Sequence, residues 1–133
     1  MKTLHSALLI GALTMLTACG SDKDSSDTSA TTGSTATADV AATVTTEDGN
    51  MDFMPEDVTI SVGDTVRFVM SATHNAVEVS QETYDARAAD PLDGGFEVDY
   101  GTTGDVTFTE AGVYYYVCAP HVTIDMVGTI TVE

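Results

Sequence analysis

Residues 113–132 read Val113-Tyr114-Tyr115-Tyr116-Val117-Cys118-Ala119-Pro120-His121-Val122-Thr123-Ile124-Asp125-Met126-Val127-Gly128-Thr129-Ile130-Thr131-Val132. Successive side chains of a strand point to opposite faces, so Tyr116 and Cys118 share one face of the first run. Pro120 has no N–H to donate inside a central strand, and the chain therefore leaves the sheet just after Cys118. Alternation resumes at Met126. The stretch predicts two neighbouring strands joined by a tight loop that carries His121.

Short alternating runs of the same kind recur upstream, separated by turn signals such as Gly63-Asp64. They cover residues 58–62, 65–70, 74–79, 96–100 and 106–109. Segment 81–94 is polar and alanine-rich, which predicts a loop or at most one short helix. Seven or eight short strands within residues 39–133 predict an all-β fold, a Greek-key β-sandwich.

The first 18 residues have the form of an export signal. Lys2 is followed by a short apolar run from Ala7 to Leu16, which is too short to span a bilayer comfortably. Residues 16–19, Leu-Thr-Ala-Cys, resemble a bacterial lipobox, in which cleavage precedes the cysteine and its thiol is lipidated. An ordinary signal peptide with an incidental cysteine is the alternative. We therefore expect residues 1–18 to be a lipoprotein signal peptide and Cys19 to be the lipid anchor.

Residues 19–38 contain almost no large apolar side chain and are rich in Ser, Thr, Asp, Ala and Gly. Such a segment cannot bury enough surface to offset its ordering entropy, so it predicts a disordered tether. As a flexible coil it would have an r.m.s. reach of about 25 Å. We expect the folded domain, residues 39–133, to be held in the cell envelope, facing the periplasm or the exterior. The residues after Cys19 slightly favour the outer membrane in a cell that has one.

The chain is strongly acidic, with 21 Asp and Glu against 4 Lys and Arg and a formal net charge of −17. Because phosphate binding needs a basic face, this composition excludes a nucleic-acid partner. Residues 39–133 hold 18 acidic residues and two arginines. The acidity fits steering toward a basic partner, and it equally fits a saline habitat.

Few histidines and cysteines remain that could bind a metal. Downstream of the predicted signal they are His74, His121, Cys19 and Cys118, and Met126 lies eight residues after Cys118. Two histidines and a cysteine in a plane, with a weak axial methionine, are the ligands of a blue-copper electron-transfer site. Each residue also has an ordinary alternative: a surface or satisfied histidine, a turn, a core methionine, or a Cys19–Cys118 disulfide in an exported protein. The coincidence of all four positions favours the metal site.

The domain resembles the small blue copper proteins, the cupredoxin family that includes plastocyanin, pseudoazurin and halocyanin. Three segments carry the resemblance: residues 51–68, His74-Asn75 with the apolar strand that follows, and residues 112–128. The resemblance implies a single type 1 copper ion held in a plane by three residues, with a fourth in the axial position. They are His74, Cys118 and His121, and then Met126.

The resemblance also implies roles for residues near the ligands. Asn75 would tie its own loop to the cysteine loop by hydrogen bonds, and Pro120 would lie beside the ligands on that loop. His121 would be the electron port. Two positions depart from the family pattern. Asp125 stands where these proteins usually have glycine, and it is expected to add a charge near the port. Val117 stands where plant plastocyanin has an exposed tyrosine, so no remote electron entry is expected there.

Two functions are compatible with these features. The first is a membrane-tethered, monomeric one-electron carrier that shuttles electrons between cytochromes, oxidases or reductases with basic docking faces. The alternative is a copper-binding protein that buffers or delivers the metal in the cell envelope. An enzyme is disfavoured, because no histidine remains to bind a second, substrate-facing copper ion.

Overall fold

The computed structural model describes residues 39–133. The predicted signal peptide, Cys19 and the tether lie outside the described residues. Eight strands, one short α-helix and one 3₁₀ turn follow each other along the chain. In order they are β1 (Val40–Thr45), β2 (Asp57–Ile60), β3 (Thr65–Val69), β4 (Ala76–Val79), α1 (Gln81–Asp85), β5 (Glu97–Val98), β6 (Thr103–Thr107), β7 (Gly112–Val117), the 3₁₀ turn (Val122–Ile124) and β8 (Val127–Val132).

The strands form two sheets. One has three strands in the order β1-β3-β6, and the other has five in the order β2-β8-β7-β4-β5. The pairs β1–β3 and β2–β8 are parallel, whereas β3–β6, β4–β5, β4–β7 and β7–β8 are antiparallel. Several neighbours in the sheets are distant in sequence, and these long crossovers make the sandwich. The all-β sandwich predicted from the strand spacing is confirmed.

The predicted strands differ from the structure mainly at their ends. The run 58–62 was expected to be extended throughout, but β2 stops at Ile60 because a turn follows. In that turn the Asp64 N–H donates to the Ser61 carbonyl, and the Ser61 N–H donates to the Asp64 carboxylate. β1 was not located by the sequence pattern. Its side chains alternate weakly in polarity, and only Val44 is fully buried.

The main hydrophobic core lies between the two sheets. Both sheets contribute, since Phe68 of β3 and Tyr116 of β7 are fully buried and pack edge to face with ring centroids 5.5 Å apart. Phe53 also packs on Tyr116, with ring centroids 4.8 Å apart. Cys118 and Met126 belong to the same buried cluster. The copper-site candidates thus stand at one end of a core that the strands build independently of them.

A second, smaller cluster covers the outer face of the five-stranded sheet. It consists of Val79, Val117, Val122 and Val127, with Tyr84, Ala89 and Tyr115 packed against them. Helix α1 begins after Ser80, whose hydroxyl accepts a hydrogen bond from the Thr83 N–H at 3.1 Å. Segment 81–94 therefore contains the single short helix that its composition allowed. Within residues 39–133 no helix has the length and apolarity that crossing a membrane requires.

Candidate metal centre

Three neighbouring strands bring the candidate ligands to one end of the five-stranded sheet. His74 precedes β4, Cys118 follows β7 and Met126 precedes β8. Because β7 runs antiparallel to both β4 and β8, all three positions lie at the same end. The β7–β8 ladder ends with Val117 opposite Val127, and the next residue extends it: the Cys118 N–H donates to the Met126 carbonyl at 3.0 Å. The register itself places the cysteine beside the methionine.

The loop between β7 and β8 is closed by its own backbone. The His121 N–H donates to the Cys118 carbonyl at 3.0 Å, and the Met126 N–H donates to the His121 carbonyl at 3.3 Å. The 3₁₀ turn Val122–Ile124 fills the space between them. Pro120 is exposed at the start of this loop. As the sequence predicts, the strand ends before the proline and His121 lies on the loop.

Three donor atoms converge at this end of the sandwich. The Cys118 Sγ lies 3.5 Å from Nδ1 of His74 and 3.5 Å from Nδ1 of His121, and the two Nδ1 atoms are 3.1 Å apart. For a triangle with these edges, the point equidistant from the three atoms is about 2.0 Å from each, which is the length of a metal–nitrogen bond and about 0.3 Å short of a metal–sulfur bond. The donor set therefore fits one metal ion, and thiolate with imidazole ligands suits copper.

The site is shielded from water on most sides. His74 and Cys118 are fully buried, whereas His121 is half-buried. Burial, and then the proximity of His121, lower the pKa of His74, so that its imidazole is neutral and able to bind a metal. Burial raises the pKa of the Cys118 thiol, although the N–H groups of Asn75 and His121 oppose this. A metal cation in the centre would favour the thiolate form.

Met126 is fully buried in the same cluster as Cys118. Before it stands Asp125, whose φ of 74° and ψ of 21° lie in the left-handed region. Glycine adopts this conformation without strain, and Asp is among the few other residues that tolerate it. The backbone turn that a glycine would make is therefore preserved with an aspartate.

Asn75 links the histidine loop to the cysteine loop. Its side chain is almost fully buried, and its Oδ1 accepts a hydrogen bond from the Ala119 N–H at 2.9 Å. Val77 of β4 pairs with Val117 of β7, so the register brings Asn75 opposite Ala119. The hydrogen bond fixes the distance between His74 and Cys118, which adjoin the two bonded residues.

Asn75→Ala is expected to loosen this link. The Ala119 N–H would lose its partner, which costs about 1–3 kcal/mol in the free energy of unfolding. Copper affinity is expected to fall about 10- to 100-fold, as for other residues that orient metal ligands. Urea denaturation and a competitive copper titration measure the two effects. Thr73→Ala is the matched control, because it removes an exposed hydrogen bond to Asp48 from the same loop. Equal effects of the two substitutions would contradict the orienting role.

The sequence missed one residue beside this centre. The Arg87 Nε donates to Oδ1 of Asp125, so the charge expected near the port has an ion-pair partner. The only available signal was that Arg87 is one of the two basic residues in residues 39–133. Val117 is fully buried and offers no surface route to Cys118, in agreement with the expectation for that position.

Residues 40–133 match the family described as copper binding proteins, plastocyanin/azurin family. The chain belongs to this family. Its plastocyanin relative from Scenedesmus fuscus is 36% identical over 101 residues, which is 71% of this chain and 100% of the relative. The plastocyanin of Capsella bursa-pastoris is 36% identical over 91 residues, which is 65% of this chain and 92% of the relative.

Solved structures of other cupredoxins have the same fold. A pseudoazurin from Methylobacterium extorquens AM1 superposes with a TM-score of 0.54 and 28% identity, covering 69% of this chain and 74% of that one. A purple cupredoxin from Nitrosopumilus maritimus gives 0.52 and 25%, covering 69% and 99%. Together with the converging donor atoms of His74, Cys118 and His121, the family confirms the predicted cofactor, one type 1 copper ion.

Proposed function

We propose that this cupredoxin is a one-electron carrier whose copper ion is held by His74, Cys118, His121 and Met126. The observation that carries the proposal is the triangle of donor atoms with edges of 3.1–3.5 Å. When bound, copper supplies the redox chemistry by exchanging one electron between Cu(I) and Cu(II). The residues supply donor atoms that are shielded from solvent on the protein side, since His74, Cys118 and Met126 are fully buried.

The four ligands contribute in different ways. The Cys118 thiolate is a soft ligand that favours Cu(I) and also binds Cu(II), whereas the imidazoles of His74 and His121 suit both states. Met126 would offer copper only a weak thioether, a soft ligand that suits Cu(I). His121 is the one ligand of the three donor residues that is not fully buried. It is therefore the exit through which an electron would reach a partner.

The partner is proposed to be a redox protein with a basic docking face. The folded part of the chain carries 18 acidic residues against two arginines, and both arginines are engaged in ion pairs. Such a surface repels acidic proteins and accelerates encounter with basic ones. The proposed partners are cytochromes, oxidases or reductases outside the cytoplasmic membrane.

We further propose that Cys19 anchors the protein to a membrane and that residues 19–38 tether the domain to it. The support is the sequence alone: an export signal that ends in Leu-Thr-Ala-Cys, followed by a segment poor in apolar residues. Cys19→Ala is expected to move the exported protein from the membrane fraction to the soluble fraction. An unchanged distribution between the two fractions would contradict the proposed anchor. The proposal for the copper site does not depend on this result.

Copper buffering or delivery is the second candidate. A delivery site exchanges its metal readily, and an open, methionine- or cysteine-rich surface favours that. In this domain His74, Cys118 and Met126 are fully buried. Three buried ligands favour retention of the metal, and therefore redox cycling over delivery.

The experiment that tests the carrier is copper reconstitution followed by redox cycling. The domain is expected to bind one equivalent of Cu(II), to develop an intense visible thiolate-to-copper band, and to lose and regain that band on reduction and reoxidation. A copper-loaded protein without this band would refute the carrier. With a basic cytochrome as partner, the electron-transfer rate is expected to fall as salt is raised from about 0.01 to 0.15 M, because screening shortens the reach of the charges. A rate independent of salt would refute the basic partner.

A further inference from the structure

An unusual pair of residues lies beside the copper loop. Arg87 and Asp125 are the two non-glycine residues with positive φ within residues 39–133, with values of 52° and 74°. They are also bound to each other, since the Arg87 Nε donates to Asp125 Oδ1. Non-glycine residues adopt left-handed conformations at an energetic cost, and such conformations persist where the surroundings enforce them. The hydrogen bond between Arg87 and Asp125 therefore helps to hold both residues in their left-handed conformations.

Arg87 is fixed from the side of the sheet. Its Nη1 donates to the Tyr84 carbonyl at 2.7 Å, and its guanidinium lies 4.9 Å from the centre of the Tyr84 ring. The Tyr84 ring in turn packs on Tyr115 of β7 with centroids 5.0 Å apart. The guanidinium is thus presented to the copper loop by a chain of contacts that begins in β7, the strand that ends next to Cys118.

Asp125 is the point at which this chain of contacts reaches the loop. Its own N–H donates to the Val122 carbonyl at 3.1 Å, and it directly precedes Met126. Its side chain is 74% exposed, so little besides the ion pair with Arg87 restrains it. Glycine is the residue that adopts this left-handed conformation most easily, but an aspartate, unlike a glycine, can be held in it by its side chain.

The ion pair between Arg87 and Asp125 lies in a domain that has few positive charges. Residues 39–133 carry a large excess of acids, and their two cations are Arg67 and Arg87. Arg67 binds Asp105 across β3 and β6 in the three-stranded sheet. Arg87, in contrast, pairs with Asp125 on the copper loop. Without it, Asp125 would bring an uncompensated negative charge next to Met126.

We infer that Arg87 is a positioning residue of the copper loop, which holds Asp125 in its left-handed conformation in front of Met126 and cancels the carboxylate charge beside the copper. The inference rests on the proposed copper site. Its consequence is a reduction potential kept higher than the acidic surface alone would give, because a nearby negative charge favours Cu(II) over Cu(I). The loop conformation, in contrast, depends on Arg87 whether or not copper is bound.

The first test is a charge cycle on the copper-loaded protein. Arg87→Gln, Asp125→Asn and the double variant are compared with Arg67→Gln, which removes the same charge and the other ion pair. At a fixed ambient potential, Arg87→Gln is expected to raise the Cu(II)/Cu(I) ratio about two- to fivefold, as a charge partly screened by solvent would. Asp125→Asn should lower the ratio, the double variant should return near the wild type, and Arg67→Gln should change it less than about 1.5-fold.

The second test needs no copper. In the copper-free protein, hydrogen exchange of the Asp125 and Met126 amides is expected to become at least about threefold faster in Arg87→Gln than in Arg67→Gln, because local opening becomes easier. The inference is overturned if Arg87→Gln behaves like Arg67→Gln in either measurement. Absence of the visible band in the wild type would instead count against the proposed function, and the copper-free exchange rates would still decide on Arg87.

Discussion

Cys118→Ser is expected to abolish the visible thiolate-to-copper band while the β-sandwich stays folded. The band requires a thiolate bound to Cu(II), and a serine hydroxyl is a harder, neutral ligand that cannot replace it. The thiol is fully buried, so serine brings a polar group into the core at a cost of about 1–3 kcal/mol. Nδ1 atoms of His74 and His121 lie 3.5 Å from the sulfur position and can pair with the hydroxyl.

Met126→Leu is the matched control for this substitution. Leucine conserves the volume of methionine and removes only the thioether, so the visible band should persist, although its position and the reduction potential change. Absorption spectra of the copper-loaded proteins and far-UV circular dichroism of the copper-free ones measure the two effects. An intense band in Cys118→Ser would show that Cys118 is not the ligand. Global unfolding of that variant would show that the core depends on the site.

The strands near the site could be predicted from the sequence because local rules dominate there. Alternation over residues 113–117, and a proline that must leave the sheet, define the end of β7 without any tertiary information. β1 follows no such rule. Its partner β3 is parallel and distant in sequence, and a bulge shifts the register between Val40 and Ala42. Its position depends on contacts that a local pattern does not contain.

The residues of the metal centre also differ in how readily the sequence reveals them. The spacing of Cys118, His121 and Met126 is written into one loop, and the small number of histidines singled out His74 as their companion. Arg87 could not be identified from the sequence in this way, because it binds Asp125 from a segment that is 38 residues away in sequence. Its position follows from the packing of Tyr84 on Tyr115, which depends on the whole outer face of the five-stranded sheet. Sequence reasoning identified donor atoms more readily than the residues that support them.

One close fit in the core concerns Gly128, which lies opposite Tyr116 in the β7–β8 ladder. The Tyr116 ring covers this glycine, and its hydroxyl donates to the Glu56 carbonyl at 3.1 Å. The same carbonyl accepts a hydrogen bond from the Thr129 N–H at 3.1 Å. Burial raises the pKa of the Tyr116 hydroxyl, which therefore stays protonated and able to donate. One carbonyl thus joins β7 and β8 to the segment that enters β2.

Gly128→Ala is expected to destabilise the domain by about 3 kcal/mol, since overpacking costs 1–3 kcal/mol and a lost buried hydrogen bond adds to it. A Cβ there would overlap the ring of Tyr116 and lie 2.6 Å from the Glu56 oxygen. The ring cannot retreat, because Phe53 and Phe68 pack against it. Urea denaturation of the copper-free protein measures the change, and Thr131→Ala on the same strand should cost less than about 1 kcal/mol. A destabilisation of less than about 1 kcal/mol by Gly128→Ala, as for Thr131→Ala, would contradict the close fit. If the fit is real, Tyr116→Phe should cost less in the Gly128→Ala background than in the wild type, because the hydroxyl that overlaps the new methyl group is gone.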